Sequence, residues 1–497
     1  MSAPLGAGLP DGTRIRLLPT VRRFAAGRVL HGGSPTRLLR LRPEAVEMLG
    51  PAGEFTVDDA RSNALAATLL RSGFAEITAT DERTDLDQVT VVVPVHDTPK
   101  ALDRLLSALT GVRVVVVDDA SPDPVAIARV TGAHGARLLR LPRNLGPAAA
   151  RNAGLRRATT SFVAFCDADT VVTPDALRRL LTHFADARTA VAAPRVLGLP
   201  APNPNWITRY EDVRSSLDLG PESAVVQPHS RVGWLPSACL LARRTALGTG
   251  FDPTLRVGED VDLVWRLCAD GWLIRYDADT TVRHEHRRDP REWLARKHHY
   301  GTSAAPLATR HGDRVAPAVL TWDAVLLAAG LLAHHRITLL AALAAFLART
   351  TRTHRQLRVL DNPPGLTADL TVRATADAVR QASALLLRHW WPATVLAAAA
   401  SPRVRRAAAL ALAVDLITTY RVHGPKAFRP GFVLARRLDD MAYGIGVWHG
   451  ALRARSPKCL LPHVLARPHP PTETRRGRPV EERPNGSGPV SRSEART

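Results

Sequence analysis

Cysteine and lysine are both scarce in this chain of 497 residues. The cysteines form no CxxC pair, so the sequence indicates neither a disulfide framework nor a zinc cluster, and a reducing cytosol fits best. They are Cys166, Cys239, Cys268 and Cys459. Only four of the 67 basic residues are lysine and alanine is abundant, so part of the net charge of +21 reflects the composition of a GC-rich genome.

Long apolar runs are also lacking. A membrane-spanning helix needs roughly 18–20 consecutive apolar residues, and the most apolar stretches, 324–333, 337–348 and 407–414, are shorter. Two histidines and Arg336 separate the first two stretches, so we predict two helices that are buried or lie on a membrane. The N-terminus has no basic segment followed by an apolar core, which argues against a secretory signal.

The basic excess is uneven along the chain. Residues 301–455 carry 20 arginines and lysines against eight acidic residues. Such an excess points to nucleic acid or an anionic membrane as a partner. Because the arginine content is partly compositional, we expect no nucleic-acid binding. We expect a cytoplasmic protein, with peripheral contact at the inner face of the plasma membrane through 306–455 as the alternative to a fully internal packing of that region.

The flanking regions differ from the centre in their residue patterns. Residues 1–80 contain two short alternating runs, at 13–17 and 37–41, followed by two segments with helical spacing, which predicts a small α+β, winged-helix-like module. The charged, turn-rich stretch 81–88 is a predicted linker. Residues 456–497, rich in Pro, Arg, Ser and Gly, are a predicted disordered tail.

Residues 89–305 alternate solid apolar runs with amphipathic stretches. Runs that are apolar on both faces predict an α/β domain with a mainly parallel sheet covered by helices on both sides. Residues 306–455 are rich in Ala and Arg with helical spacing. Within them, one apolar series predicts a helix stripe that either packs as core, the interpretation we favour, or docks on a membrane. The series is Leu434, Leu438, Met441, Ile445, Trp448 and Leu452.

Acidic residues follow three predicted strands of this domain, at 90–95, 113–117 and 162–166. They are Asp97, Asp118, Asp119, Asp167 and Asp169. Ligands of open α/β sheets bind beyond the carboxyl ends of the strands. A DxD directly after a buried strand, with a second acidic strand end about 50 residues upstream, indicates Mg²⁺ or Mn²⁺ held together with the phosphates of a nucleotide diphosphate.

Three further segments carry polar residues at element ends. Gly146 opens a helix bearing Arg151 and Asn152, whose first turn either faces the nucleotide or packs on the sheet. Another helix opens with Glu259 and Asp260, which either complement the helix dipole or include a general base. The following strand ends in His284 and His286, alternate residues on one face that become candidate ligands once a metal is indicated.

Five segments, in their order and spacing, resemble the family-2 glycosyltransferases of the GT-A fold across roughly 89–300. They are VTVVVPVHD, VVVVDDASPDP, RNLGPAAARNAG, FCDADTVVTPDAL and GEDVDLVWRLCADGW. The resemblance implies that six residues bind the nucleotide sugar, with Asp119 at the base and Asp167 by the ribose. These six are Pro94, Val95, Asp118, Asp119, Asn152 and Asp167.

The same resemblance assigns the chemistry. It implies that Asp260, beside Glu259, is the catalytic base, that Asp169 holds the Mg²⁺ or Mn²⁺ on the diphosphate, and that His284 is a further metal ligand. The QxxRW motif of processive polysaccharide synthases is absent, and the corresponding region reads DPREWLARKHHYG. This departure argues against processive synthesis.

Segments near both ends of the chain indicate a more specific group within this family. RLLPTVRRF and GGSPTRLLRLRPEA near the N-terminus and ARRLDDMAYGIGVWHGALRAR near the C-terminus, taken with the central domain, resemble the mycofactocin-system glycosyltransferases over about 90% of the chain. This implies inverting, β-forming transfer of glucose from UDP-glucose to a peptide-derived redox cofactor precursor. It also implies that 1–80 recognises the peptide, although a packing extension is the alternative.

Other functions stay open from the residues alone. A family-2 enzyme with a cell-envelope lipid or polysaccharide acceptor is the first alternative. A nucleotidyl- or phosphoryl-transferase is less consistent, because the chain has no GxxxxGK[ST] loop. A non-catalytic basic nucleic-acid-binding protein would require tight, salt-dependent binding to DNA or RNA.

Overall fold

The computed structural model describes residues 8–80, 85–333, 336–357, 363–425 and 429–465. They form an N-terminal α+β module, a central α/β domain and a C-terminal helical region. Of the predicted linker, 81–84 lie outside the described residues, and Leu86–Gln88 form a 3-10 turn that leads into the central domain.

The N-terminal module contains two small antiparallel sheets and two helices. Its elements are β1 (Arg14–Leu17), β2 (Arg22–Phe24), β3 (Val29–Gly32), β4 (Arg37–Arg40), α1 (Pro43–Leu49), β5 (Glu54–Thr56), α2 (Ala60–Arg71) and β6 (Ala75–Ala79). The sheet orders are β5-β1-β6 and β2-β3-β4. The structure contains the two strands and two helices that we predicted. It adds four strands of three to five residues that the alternating runs in the sequence did not indicate.

The central domain is built on a nine-stranded sheet. Its elements are β7 (Val89–Val95), α3 (Pro99–Ala108), β8 (Arg113–Asp118), α4 (Pro124–Ala133), β9 (Arg137–Arg140), α5 (Pro147–Leu155), β10 (Phe162–Cys166), β11 (Thr170–Val171), α6 (Pro174–Leu181), β12 (Thr189–Gly198), α7 (Trp206–Arg214), β13 (Ala224–Val225), β14 (Cys239–Arg243), α8 (Glu259–Ala269), β15 (Leu273–His284), α9 (Pro290–Thr302) and α10 (Ala304–His311).

The sheet is mixed, as predicted, with the order β11-β15-β12-β14-β10-β7-β8-β9 and β13 paired to β15. Six of its nine strands point the same way, and four of its eight strand pairs are parallel. Strand β14 runs antiparallel between β10 and β12, so the parallel strands on its two sides point the same way. Their carboxyl ends therefore meet at one edge. Val92 packs into the core on one face, and Val91 and Val93 pack into the core on the other, which explains the continuous apolar runs.

The helical region follows from residue 319. Its elements are β16 (Val319–Thr321), α11 (Trp322–Ala333), α12 (Arg336–Leu357), α13 (Pro363–Ala384), α14 (Trp391–Ala400), α15 (Pro402–His423), α16 (Pro430–Arg453) and β17 (His463–Leu465), with a π-helical turn at Leu385–His389. The two apolar stretches at 324–333 and 337–348 lie on separate helices, as predicted. No helix within the described ranges is long and apolar enough to cross a membrane.

The first residues of the predicted tail are folded, which corrects its boundary at 456. Strand β17 pairs in parallel with β16, and Cys459 and Leu460 are buried in a small core with Val447. These apolar side chains give the segment a hydrophobic contact that its Pro-rich composition hides. Residues 466–497 lie outside the described part of the chain.

The N-terminal module packs away from the edge where the parallel strands end. The hydroxyl of Ser34 donates to the carbonyl oxygen of Val225 at 2.5 Å, and Arg275, near the start of β15, donates to the carbonyl oxygen of Ala75 at 3.4 Å. An ion pair between Arg22 and Asp369 joins β2 to α13. The module therefore contacts both other parts of the protein.

Helix α16 turns its charged and glycine residues inward, which corrects the interpretation of its apolar stripe as core. Asp439 and Asp440 are each 3% exposed, and Tyr210 donates to Asp439 at 2.9 Å. Four stripe residues are instead between 38% and 72% exposed: Leu434, Met441, Ile445 and Leu452. Leu438 and Trp448 are half-buried and contact small cores. The close approach of α16 to α9 and its buried ion pairs determine this orientation.

We expect Gly446→Ala to destabilise the contact between α16 and α9. A methyl group on Gly446 would come within 2.1 Å of the carbonyl oxygen of His298, so the helices would have to separate. Overpacking of this kind costs about 1–3 kcal/mol, and a lower thermal unfolding midpoint would report it. Gly132→Ala in α4 is the matched control, because nothing lies within 4 Å of its added methyl. An equal effect of both substitutions would contradict this packing.

Candidate active site

A cavity of about 1430 Å³ opens at the edge where β7, β8, β10 and β15 end. The central domain supplies most of its wall, and the helical region closes it through Arg388 and Tyr443. None of the lining residues comes from the described part of the N-terminal module. Pockets for one small ligand measure roughly 300–1,000 Å³, so this cavity has room for two substrates.

Three predicted donor-binding residues line the part of the cavity beside β7 and β8: Pro94, Val95 and Asp119. The Asp119 carboxylate accepts from the backbone N–H groups of Leu145 at 2.7 Å and Gly146 at 2.8 Å. These bonds fix the loop that leads into α5. Gly146 has a φ of 88°, a left-handed conformation that suits glycine at this turn.

Two residues predicted to bind the donor hold the scaffold instead, and neither lines the cavity. Asp118 is 1% exposed and accepts from the backbone of Ser121 at 2.8 Å and from Arg140 at 2.5 Å. The Asn152 amide makes two hydrogen bonds with the backbone of Phe251, at 2.7 and 2.9 Å. Consecutive residues at a strand end point to opposite sides, so only one of the two neighbouring aspartates reaches the cavity.

Arg151 joins two of the predicted site carboxylates. Its guanidinium donates to Asp167 at 2.6 Å and to Glu259 at 2.7 Å. Arg151 is 3% exposed and Glu259 is 6% exposed, so this is a buried, charge-compensated cluster. Asp167, which we predict to lie by the ribose, lines the cavity, and one of its oxygens accepts from Arg151.

Asp260 is the carboxylate that Arg151 leaves without an ion pair among the described residues. It lines the cavity half-buried and accepts from the backbone N–H groups of Val261 at 2.8 Å and Ser237 at 3.2 Å. Burial and then the charge of neighbouring Glu259 raise the pKa of Asp260 to about 7. A carboxyl with this pKa can accept a proton near neutral pH, whereas Glu259 is held by Arg151.

Asp169 and His284 meet beside the β11–β15 pairing, with 3.4 Å between Oδ1 of Asp169 and Nε2 of His284. Burial opposes ionisation of Asp169, but hydrogen bonding and charge from His284, with Arg287 nearby, outweigh it and lower its pKa to about 2. The carboxylate of Asp169 and the neutral form of the His284 imidazole fit a divalent cation, which would replace the proton that Nε2 shares with Asp169. Nδ1 of His284 is buried without a hydrogen-bond partner among the described residues.

The protein supplies few ligands for such a cation. The described residues contain no group of three or more His, Cys, Asp and Glu side chains placed to hold a metal. Asp169 and His284 would leave the other coordination positions to substrate phosphates and water. His286, the other histidine near the end of β15, lies next to Asp212, with its Nε2 at 3.3 Å from that carboxylate.

Comparisons with known proteins identify the family. Residues 90–233 match Glycosyl transferase family 2, and residues 162–360 match Glycosyl transferase family group 2. The chain is 39% identical over 466 residues to the Pre-mycofactocin glycosyltransferase of Mycobacterium tuberculosis, which covers 92% of this chain and 98% of that protein. This chain belongs to the family of that enzyme. It is a family-2 glycosyltransferase with the predicted GT-A fold.

Two other proteins are similar to parts of this glycosyltransferase. The N-acetylglucosaminyl-diphospho-decaprenol L-rhamnosyltransferase of Mycobacterium tuberculosis is 40% identical over 124 residues, which are 23% of this chain and 36% of that protein. The solved mannosyltransferase PcManGT of Pyrobaculum calidifontis, in complex with GDP-Man and Mn²⁺, has a TM-score of 0.41 at 19% identity, over 75% of this chain and 90% of that one.

Sequence reasoning missed the ionic cluster that closes the cavity of this glycosyltransferase. Lys297, 3% exposed, lies 2.7 Å from Glu211 and 3.4 Å from Asp439 of α16, and Trp293 donates to Glu211 at 2.7 Å. Trp293 and Lys297 of α9 belong to the segment DPREWLARKHHYG. The spacing of Trp293, Lys297 and Tyr300 by four and three residues already places them on one helix face.

Asp260→Asn should lower sugar transfer by about 10²–10⁴, the usual contribution of a general base. Donor binding, measured by calorimetry with UDP, should persist because Asp119 and Asp169, which we predict to act at the nucleobase and the diphosphate, are separate residues of the cavity wall. In the unsubstituted enzyme, transfer should fall about tenfold per pH unit below pH 7, because the Asp260 carboxyl, with its pKa raised to about 7, must be deprotonated to act. Near-normal transfer by Asp260→Asn would exclude Asp260 as base. Asp175→Asn, an exposed carboxylate on α6, is the control and should leave transfer unchanged.

Asp169→Ala should abolish the metal-dependent part of UDP binding. Titration with UDP in the presence and absence of Mn²⁺ would measure this loss directly. His284→Ala should weaken it less, because water can fill a vacated coordination position. Full activity in excess EDTA would contradict a role for a divalent cation.

Proposed function

We propose that this protein transfers glucose from UDP-glucose to the precursor of mycofactocin, a peptide-derived redox cofactor, and that the product is β-linked. The support is the identity of 39% to the Pre-mycofactocin glycosyltransferase over nearly the whole of both chains. Similarity of that extent includes both flanking regions as well as the catalytic domain. The alignment therefore also includes the parts of the chain that we expect to contact the acceptor.

The observation that carries the mechanism is the division of roles around Arg151. Because its guanidinium pairs with Asp167 and Glu259, Asp260 is left to titrate near neutral pH. Asp260 takes the proton of the acceptor hydroxyl while the hydroxyl oxygen forms a bond to the anomeric carbon. The bond from that carbon to the diphosphate breaks on the opposite face, and UDP leaves with the electron pair. One displacement inverts the anomeric configuration.

The donor occupies the part of the cavity beside β7 and β8 in this proposal. Pro94, Val95 and Asp119 contact the base, and Asp167 lies by the ribose. Asp169 and His284 would hold Mg²⁺ or Mn²⁺, and the chemistry that this cation would supply is stabilisation of the negative charge on the departing diphosphate. Arg287, whose Nη2 is 3.6 Å from Asp169, adds positive charge at the same position.

The acceptor occupies the part walled by the helical region, where Arg388 and Tyr443 reach the cavity. We also propose that residues 1–80 bind the peptide portion of the acceptor. Since the described module does not line the cavity, it would act by tethering, and its loss would raise the acceptor KM more than the donor KM. We place the enzyme in the cytoplasm at the inner face of the plasma membrane, reached through 306–455.

Purified enzyme with UDP-glucose and the peptide-derived precursor tests the proposal. We expect release of UDP that depends on the acceptor, and an NMR spectrum of the product with a β anomeric proton. UDP-galactose and UDP-N-acetylglucosamine serve as donor controls, and Asp260→Asn as the enzyme control. Transfer to a polyprenyl phosphate or a polysaccharide, with none to the precursor, would overturn the assigned acceptor. An α-linked product would overturn the single displacement.

A further inference from the structure

Exposed apolar side chains are concentrated on the helical region. Among the large hydrophobic residues that the described chain exposes, all but Val125 and Leu138 lie between Trp322 and Leu461. Soluble domains rarely expose large contiguous apolar patches unless the patch binds something. The distribution indicates that part of the surface of this region contacts something other than water.

Helices α11 and α12 form an antiparallel hairpin that carries the densest part of this surface. Gly330 packs against Thr338 and Ala342, and Asp323 pairs with Arg349 at 2.6 Å. These contacts fix how the two antiparallel helices are aligned, so Leu326 lies at about the level of Leu343, and Trp322 at about the level of Leu347, along the hairpin. The inner side is filled by another set, Leu327, Ala342, Ala345 and Phe346.

The outer side of the hairpin is apolar over about three turns of α12. Its six residues, which we call the hairpin face, are Trp322, Leu326, Ile337, Leu340, Leu343 and Leu347, with exposed fractions between 49% and 70%. Their spacing along α12 is three or four residues, which places them on one side of the helix.

The charge around the hairpin face is positive. All six carboxylates between 322 and 465 in the described ranges form ion pairs with arginine or lysine: Asp323, Asp369, Asp377, Asp415, Asp439 and Asp440. Exposed Arg336, Arg352 and Arg355 of α12 have no carboxylate partner among the described residues. The remaining field is therefore basic and complements an anionic surface.

We propose that the hairpin face lies in the headgroup region of an anionic phospholipid bilayer, with α11 and α12 in the membrane plane. An apolar helix face flanked by arginines combines the two forces that hold interfacial helices, burial of side chains and attraction to anionic lipid. The inference deepens the membrane contact in the proposed function and rests on it, but it depends on neither the sugar nor the acceptor.

Flotation of the full-length enzyme with vesicles tests the proposal. We expect binding to vesicles of equal parts phosphatidylcholine and phosphatidylglycerol, weaker binding to phosphatidylcholine alone, and release by high salt. Leu340→Glu and Leu343→Glu should each lower the partition coefficient about tenfold. Arg352→Gln and Arg355→Gln should each lower it about fivefold on the anionic vesicles only. Val125→Glu is the matched control, since Val125 is 64% exposed on α4 of the central domain.

Three results would overturn the proposal. The first is equal vesicle binding by the unsubstituted enzyme and Leu340→Glu, and the second is no binding of either at low salt. The third is a dimer in light scattering that Leu340→Glu dissociates, which would assign the hairpin face to a second copy of the chain. Transfer to a soluble acceptor without vesicles should be unchanged in Leu340→Glu. That assay separates a failure of the surface from a failure of the enzymatic proposal.

Discussion

The guanidinium of Arg151 joins two carboxylates from different elements, Asp167 after β10 and Glu259 at the start of α8. Removing one partner of such a buried pair leaves an uncompensated charge and typically costs about 3–5 kcal/mol. The pair thus fixes the position of α8 relative to the strand end. Because Asp260 is the next residue of α8, its place at the cavity depends on the same contact.

Close packing of α5 on the sheet places Arg151 within hydrogen-bonding distance of both carboxylates. A methyl group on Gly154 would come within 2.2 Å of Val92, so the helix lies as near to the sheet as its backbone allows. Asn152 joins the helix to the backbone of Phe251, and the Arg151 guanidinium lies over the Phe251 ring at 5.4 Å. Both residues of this helix that we singled out from sequence therefore matter, but one binds the scaffold and the other links carboxylates.

The order of apolar runs was enough to predict the central sheet, because strands covered on both faces must be apolar throughout. Asp169 and His284, which both follow strands in the sequence, lie 3.4 Å apart in the structure. The sequence pattern could not separate Asp118 from Asp119, since which of two neighbouring side chains faces the cavity depends on the local turn. The residues of the helical region that line the cavity could not be predicted from the sequence. They reach it through the packing of α16 on α9, and these two helices are far apart in the chain.

The outward stripe of α16 shows why periodicity alone fails there. Exposing a large apolar side chain forgoes roughly 1.5–3 kcal/mol, whereas an ion in the interior without its partner costs several kcal/mol. Asp439 and Asp440 find Arg388 and Lys297 only on the inner side. The charged face therefore turns inward, and Tyr443 follows it into the cavity while Ile445 faces out. One helix thus supplies both a wall of the active site and part of the exposed apolar surface of the helical region.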